Sequence, residues 1–214
     1  MVRRTKEDAQ VTRNSLLDAA EWLFQAQGVS RTSLNDIARK AGTSRGAIYW
    51  HFKDKADLFN AMMERVTLPL EQAFQNVARE SAVAPLEGVR AALLDALHLI
   101  ATDERTRRVF EVATQKVEYV DELQAVRLRH LTVRNEFIAQ VEQGLKLAAA
   151  NQKLTTIISM SAAAQGLHAM VDGLIQNWLL DTEGFDLAET GAEVIDVYLT
   201  GVGFKLAPRA ARTT

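Results

Sequence analysis

Apolar side chains in this chain return every three or four positions, almost from end to end, and no stretch alternates with the period of two that a strand requires. Between Asp8 and Gln27, Leu16, Leu17, Ala20, Leu23 and Phe24 fall on one stripe with Gly28 as a stop, which predicts an opening helix. Ser33, with Asp36 three positions on, has the pattern of a capping box ahead of Ile37 and Ala38, so a short second helix is expected, ending at Gly42. A third short helix is predicted from Thr43, whose hydroxyl suits an N-cap, to about Trp50. Asp54 caps a longer fourth helix that runs past Met62 and Met63 toward Glu80, with Pro69 inside it as an expected kink. Beyond Pro85 the periodicity predicts helices over about 86–101, 103–116, 121–150, 156–181 and 187–205. The expected fold is therefore all-α, with about nine helices.

Two short helices separated by "AGT" make a helix-turn-helix. This divides the chain into an N-terminal three-helix head over residues 1–55, a larger helical body over 56–208 and a frayed tail over 209–214. Charge follows the same division. Residues 1–55 hold ten basic against six acidic groups, a net +4, so the remainder of a chain of net charge -2 carries -6. A basic head suits a polyanion, and an acidic body suits some other task; chance scatter of solvated charges is the plain alternative.

At 214 residues and 48% hydrophobic content the chain has ample material for a core. It has no cysteine, which excludes disulfides and thiolate chemistry. The opening "MVRRTKEDAQ" leads into no apolar leader, and no run approaches the ~18 apolar residues of a membrane span, so a soluble, cytoplasmic protein without membrane contact is expected. His51, His98, His130 and His168 have no metal-ligand spacing, and neither a phosphate-binding glycine loop nor a nucleophile elbow occurs. No enzyme activity, metal or cofactor is expected.

The segment "TSRGAIYWHFKDK", Thr43 to Lys55, carries the densest chemistry. The second helix of a helix-turn-helix places its first residues against base edges in the major groove of double-stranded DNA, while flanking groups hold phosphates. Arg45, in the first turn, has the paired donors that read guanine. Gly46 lets the backbone approach the duplex. Thr43 and Ser44 combine capping with short reach, Tyr49 and His51 can donate to phosphates, and Lys55 stands at the next helix N-terminus, itself an anion site. Ser33 serves as a cap or as a phosphate contact. Trp50 fits packing and DNA contact equally, a lone histidine such as His51 is more often structural, and Phe52 reads as a core plug.

"TSLNDIARKAGTSRGAIYWHFKDKADLF", Thr32 to Phe59, resembles the DNA-binding segment of the TetR family of bacterial repressors, and the sequence before it continues the match. "VRRTKE", "RGAIYWHF" and "VDGLIQNWLL" are similar to the AcrR and TtgR subgroup, which represses multidrug efflux pumps. The resemblance implies a homodimer with paired recognition helices, a pocket in each body for a hydrophobic small-molecule inducer, and release of the operator when that inducer binds. It places positions matching Ser33, Thr43, Arg45, Gly46, Tyr49, His51 and Lys55 on or beside DNA. The subgroup often has a cysteine where this chain has Val117, which points to altered pocket preferences. A regulator of a catabolic operon, or a small-molecule carrier that has lost DNA binding, are the alternatives.

In the body, the helix expected over Thr156–Leu180 is apolar on nearly every side. Ala163, Gly166, Met170, Gly173, Leu174 and Asn177, with Val194, Tyr198, Gly201 and Val202 on the last helix, have the spacing of a two-fold four-helix interface; the same spacing also serves packing within one chain. Ser161, Gln165, His168 and Asp172 form a second, polar row that either lines a wet cavity, the favoured reading, or marks the exposed face. With Val66, Val89, Phe110, Thr114, Val117 and Val171 it would give a mostly apolar pocket with few polar anchors.

Overall fold

The computed structural model describes residues 6–80, 84–118 and 121–207. Its regular elements are α1 (Lys6–Gln27), α2 (Leu34–Lys40), α3 (Arg45–His51), α4 (Lys55–Glu80), α5 (Pro85–Thr102), α6 (Glu104–Gln115), a 3-10 turn (Asp121–Leu123), α7 (Gln124–Asn151), α8 (Met160–Leu180) and α9 (Leu187–Val202). The described residues form no strand. The expected tail at 209–214, and Arg3 and Arg4 of the basic head, lie outside the described residues.

Most helix ends follow from capping chemistry. α1 stops where Gly28 turns to φ +84, its N–H still donating to Phe24 O at 2.9 Å. Ser33 Oγ accepts from the Asp36 N–H at 3.2 Å, and the Asp36 carboxylate accepts from the Ser33 N–H at 3.2 Å, completing the expected capping box. Asp54 accepts from the Asp57 N–H at 2.8 Å at the start of α4, and α4 continues through Pro69.

Three ends differ from expectation. Ser44, not Thr43, caps α3, its Oγ accepting from the Ala47 N–H at 3.2 Å; the Thr43 N–H instead donates to Ala38 O at 2.9 Å and closes the turn. α8 starts at Met160 and not near 156, because Ser159 caps it, while the Thr156 hydroxyl donates forward to Ile158 O within the preceding loop. α9 ends at Val202 instead of about 205: Gly203 takes φ +113, and the Phe204 N–H returns to Leu199 O at 3.0 Å.

The described helices gather into two compact units. The first holds α1 to α3, α4 up to Leu68, α6, and α7 up to Val133; the second holds α4 from Pro69, α5, α7 from Arg134, α8 and α9. The core of the first unit joins Leu16, Phe24, Ile37, Ile48 and Phe52 to Phe59, Met62 and Val66 of α4 and to Val109 and Val112 of α6, so it extends well past residue 55. Beside this core lies a cluster of charge. Glu21 of α1 is 1% exposed, and its carboxylate meets Arg65 of α4 and, at 3.6 and 4.0 Å, Arg105 and Arg108 of α6. Asp18 pairs with Arg65 at 2.8 Å and with Arg105 at 2.9 Å. A buried carboxylate is tolerated only with such partners, and here they tie three helices together.

In the second unit α9 packs against α5 and α8. Gly191 lets α9 approach Leu97 of α5, and Arg90 of α5 holds the Asp196 carboxylate at two points.

Candidate nucleic-acid interface

α3 is only seven residues long, too short to be stable alone, and its packing supplies the rigidity. Ile48 and the following Phe52 are buried in the core of the first unit. The opposite face points outward: Arg45, Gly46, Tyr49 and Trp50 are exposed. The Arg45 guanidinium lies 5.8 Å from the centre of the Tyr49 ring and forms no ion pair among the described residues. A side chain at Gly46 would meet only Ser44 Oγ, at 3.9 Å, so that side of the helix is open. Trp50 is 73% exposed, with His51 against it at 4.6 Å in an edge-to-face arrangement; packing does not account for this tryptophan. His51 is half-buried between Trp50 and Phe52.

Ser33 and Asp36 form a closed pair in which the Ser33 hydroxyl also donates to the carboxylate at 2.6 Å. These bonds, first from the hydroxyl and then from the Ser33 N–H, with Arg39 adding to them, hold the Asp36 carboxyl below the usual carboxylate range. Its negative charge sits at the N-terminus of α2, where the helix dipole favours it.

Lys55 departs from expectation. Its ammonium is turned inward and donates to Val29 O at 3.2 Å and Thr32 O at 3.3 Å, while pairing with Glu122 at 3.1 Å. The physical reason is position: Lys55, Ala56, Phe59 and Met62 lie along one buried stripe of α4, and Lys55 follows its neighbours into the core. That spacing was the available signal. Lys53, two residues earlier, is exposed.

The nine expected pocket residues divide between the two units. In the first, Val66 is buried, Phe110 and Val117 pack half-buried against the core, and Thr114 is exposed with its hydroxyl donating to Phe110 O at 2.9 Å. In the second, Val89 and Val171 are buried, His168 lies against Phe137 at 5.8 Å, and Asp172 accepts from Gln176 at 2.6 Å. Gln165 and Ser161 are exposed, so the polar row on α8 does not share one enclosed space. A cavity of about 60 Å³ does occur within the first unit, lined by Phe59, Met63, Thr67, Ala113, Val126 and Val133 among others, with the Arg129–Glu64 pair at its edge. None of the nine lines it.

The expected dimer stripe is also partly redirected. Ala163 and Val202 are buried within the chain itself; Gly166 gives room to Tyr198, whose hydroxyl donates to Ala163 O at 2.8 Å. Ala163, Gly166 and Tyr198 pack α8 on α9. Met170 is half-buried, whereas a side chain at Gly173 would meet nothing within 4 Å and Asn177 is exposed. The open face of α8 runs through Ala162, Gln165, Ala169, Gly173 and Leu180, and that of α9 through Val197 and Gly201.

Among the described residues no group of three or more histidine or acidic side chains could hold a metal ion, and no helix is long and apolar enough to cross a membrane. Comparison with known proteins decides the family. The model of bacterial regulatory proteins of the tetR family matches residues 16–62, and that of the C-terminal region of MAATS-type transcriptional repressors matches residues 84–204. The chain belongs to the TetR family of bacterial transcriptional regulators. This TetR-family chain is 39% identical over 198 residues to the HTH-type transcriptional repressor BepR of Brucella suis, a match covering 92% of this chain and 95% of that protein. Its fold is similar to that of NalD, the secondary repressor of the MexAB-OprM multidrug efflux pump in Pseudomonas aeruginosa, with TM-score 0.84, 36% identity and coverage of 91% and 98%. It is also similar to the complex of SmeT with triclosan, with TM-score 0.83, 29% identity and coverage of 95% and 98%. SmeT is the repressor of the SmeDEF multidrug efflux pump of Stenotrophomonas maltophilia. The tetR-family match ends at Met62, within the part of α4 that packs into the core of the first unit.

Proposed function

We propose that this TetR-family regulator is a cytoplasmic repressor of a multidrug efflux operon, that it binds operator DNA as a homodimer, and that a hydrophobic small molecule releases it. The observation that carries the reading is the outward face of α3, where Arg45, Tyr49 and Trp50 stand exposed on a helix anchored by buried Ile48 and Phe52. The kinship supports the rest. NalD and SmeT each repress an efflux pump, and SmeT holds triclosan, a small apolar aromatic compound.

In this reading Arg45 pairs with a guanine edge and Gly46 admits the backbone to the groove. Thr43, Ser44, Tyr49, Trp50 and His51 flank the phosphates. The open faces of α8 and α9, small or apolar apart from Gln165, meet their copies in a second chain. Two recognition helices must then lie about 34–36 Å apart to reach successive major grooves. A ligand that binds the released arrangement more tightly than the bound one shifts the balance, tenfold for each ~1.4 kcal/mol of difference. Phe110 and Asp172 are the ligand contacts to test first; if Phe110→Ala and Asp172→Ala leave ligand affinity unchanged, they do not hold the ligand.

The direct experiment is fluorescence anisotropy of the purified protein on DNA from upstream of its own gene, at two salt concentrations, with and without a panel of antibiotics and phenolic compounds including triclosan. Tight, salt-sensitive binding abolished by one hydrophobic compound is the expected result. Absence of sequence-preferring binding at low salt would overturn the reading.

A further inference from the structure

Lys55 sits where a cation is least welcome. It is the first residue of α4, at the positive end of the helix dipole, and it is only 7% exposed. A buried ammonium is tolerated when each proton has an acceptor, and an ammonium has three donors. Here Val29 O, Thr32 O and the Glu122 carboxylate supply three acceptors at 3.1–3.3 Å. No donor is left for a phosphate.

Both carbonyls belong to the turn between α1 and α2, which leads directly into Ser33, the cap of α2. The same turn is held again by the chain that follows α6: the Val29 N–H donates to Lys116 O at 3.0 Å, and the Ser30 hydroxyl donates to the Glu118 carboxylate at 3.4 Å. α2 in turn holds the start of α3 through the Thr43 N–H and Ala38 O. Lys55 thus lies at the junction of α4, the α1–α2 turn and the 3-10 turn that precedes α7, without reaching the outward face. Lys53 is exposed beside Tyr49 and Ser33 along the groove next to α3.

We infer that Lys55 is a positioning residue for operator reading, holding the α1–α2 turn, and through it α2 and α3, against Glu122, and that Lys53 is the lysine of this segment that meets a phosphate. The inference rests on the operator binding proposed above.

The test is a salt titration of operator affinity for the full-length wild type, Lys53→Met, Lys55→Met and Glu122→Gln, with amide hydrogen exchange of residues 29–33 measured on each free protein. Each lost phosphate contact lowers the slope of log affinity against log salt by about 0.9, hence about 2 for a dimer. Lys53→Met is expected to show that loss of slope with unchanged exchange at 29–33. Lys55→Met, which leaves two inward carbonyls without donors, is expected to weaken binding about tenfold or more with the slope unchanged and exchange at 29–33 accelerated. A slope lower by about 2 in Lys55→Met would overturn the assignment.

Should Lys55→Met fail to fold, Glu122→Gln decides, since that carboxylate is 57% exposed and its amide keeps the same shape. Weaker binding with faster exchange supports the positioning role. Tighter binding, as expected from freeing a phosphate-seeking lysine, or exchange equal to wild type, overturns it. If the wild type binds no operator, the proposed function fails on its own, and the exchange comparison, which needs no DNA, still decides whether Lys55 and Glu122 hold the turn.

Discussion

Arg65, Arg105 and Arg108 crowd around a carboxylate that water does not reach, whereas Arg45, on the outward face of α3, lies against the Tyr49 ring and forms no ion pair among the described residues. Both arrangements are built in the first unit from the same side chain. Inward, the guanidinium offsets the desolvation of Glu21 and fastens α1 to α4 and α6. Outward, its donors stay available for a planar acceptor such as a guanine edge. Sequence charge alone does not separate these roles; the partner and the burial do. Lys55 and Lys53 repeat the contrast two positions apart.

If the contrast holds, the two sets fail in different assays. Glu21→Ala carries the largest expected effect: it leaves Arg65 half-enclosed without its principal carboxylate, and removal of one member of a buried ion pair costs about 3–5 kcal/mol. Chemical denaturation should show that loss, while protein kept folded at low temperature retains operator binding. Arg45→Ala is the converse. Thermal stability should stay at the wild-type value, and operator affinity should fall by about 1–3 kcal/mol at each half-site, most of it at one base pair. A destabilised Arg45→Ala, or a Glu21→Ala of full stability, would erase the distinction between the two sets.

The all-helical fold, the helix-turn-helix and the capping box at Ser33 and Asp36 were legible because each rests on local spacing. Where two local signals competed, sequence could not choose. Thr43 and Ser44 are adjacent hydroxyls, either able to cap α3, and the bond from the Thr43 N–H to Ala38 O decides between them. The charge of Lys55 suggests an outward role, although the stripe it shares with Ala56, Phe59 and Met62 on α4 places it inside. The stripe of small residues on α8 was visible, but not that Ala163 and Gly166 face Tyr198 of the same chain. Least legible were the features that need distant segments, such as α6 in the core of the first unit and the cavity between α4, α6 and α7. No window of one sequence contains both faces of such a contact.

A smaller effect sharpens the comparison on the outward side. Ser33 was open to two roles, cap or phosphate contact, and its hydroxyl is engaged with Asp36 in both directions. Ser33→Ala should lower stability by about 1 kcal/mol, the usual value of an N-cap. As a cap it should leave the salt slope of operator binding unchanged; a slope reduced by about 2, one contact in each chain of the proposed dimer, would make it a phosphate contact instead.

The smallest effect concerns acid. Asp36 is held below the usual carboxylate range by the Ser33 hydroxyl and N–H, and Asp103, the cap of α6, by the Thr106 hydroxyl and N–H. In the unfolded chain both return to the ordinary value of about 4. Because the folded value is the lower one, the unfolded chain binds more protons as pH falls, so both groups contribute in full above that ordinary value and progressively less as pH drops toward the depressed one. Melting temperature recorded from about pH 6 down to pH 3 should therefore fall less steeply in the Asp36→Asn, Asp103→Asn double variant than in the wild type, from a lower starting point. Both carboxylates lie at the surface, so the change in slope should be modest beside the loss in Glu21→Ala. Parallel curves would mean that these caps act through hydrogen-bond geometry alone, with no part played by their charge.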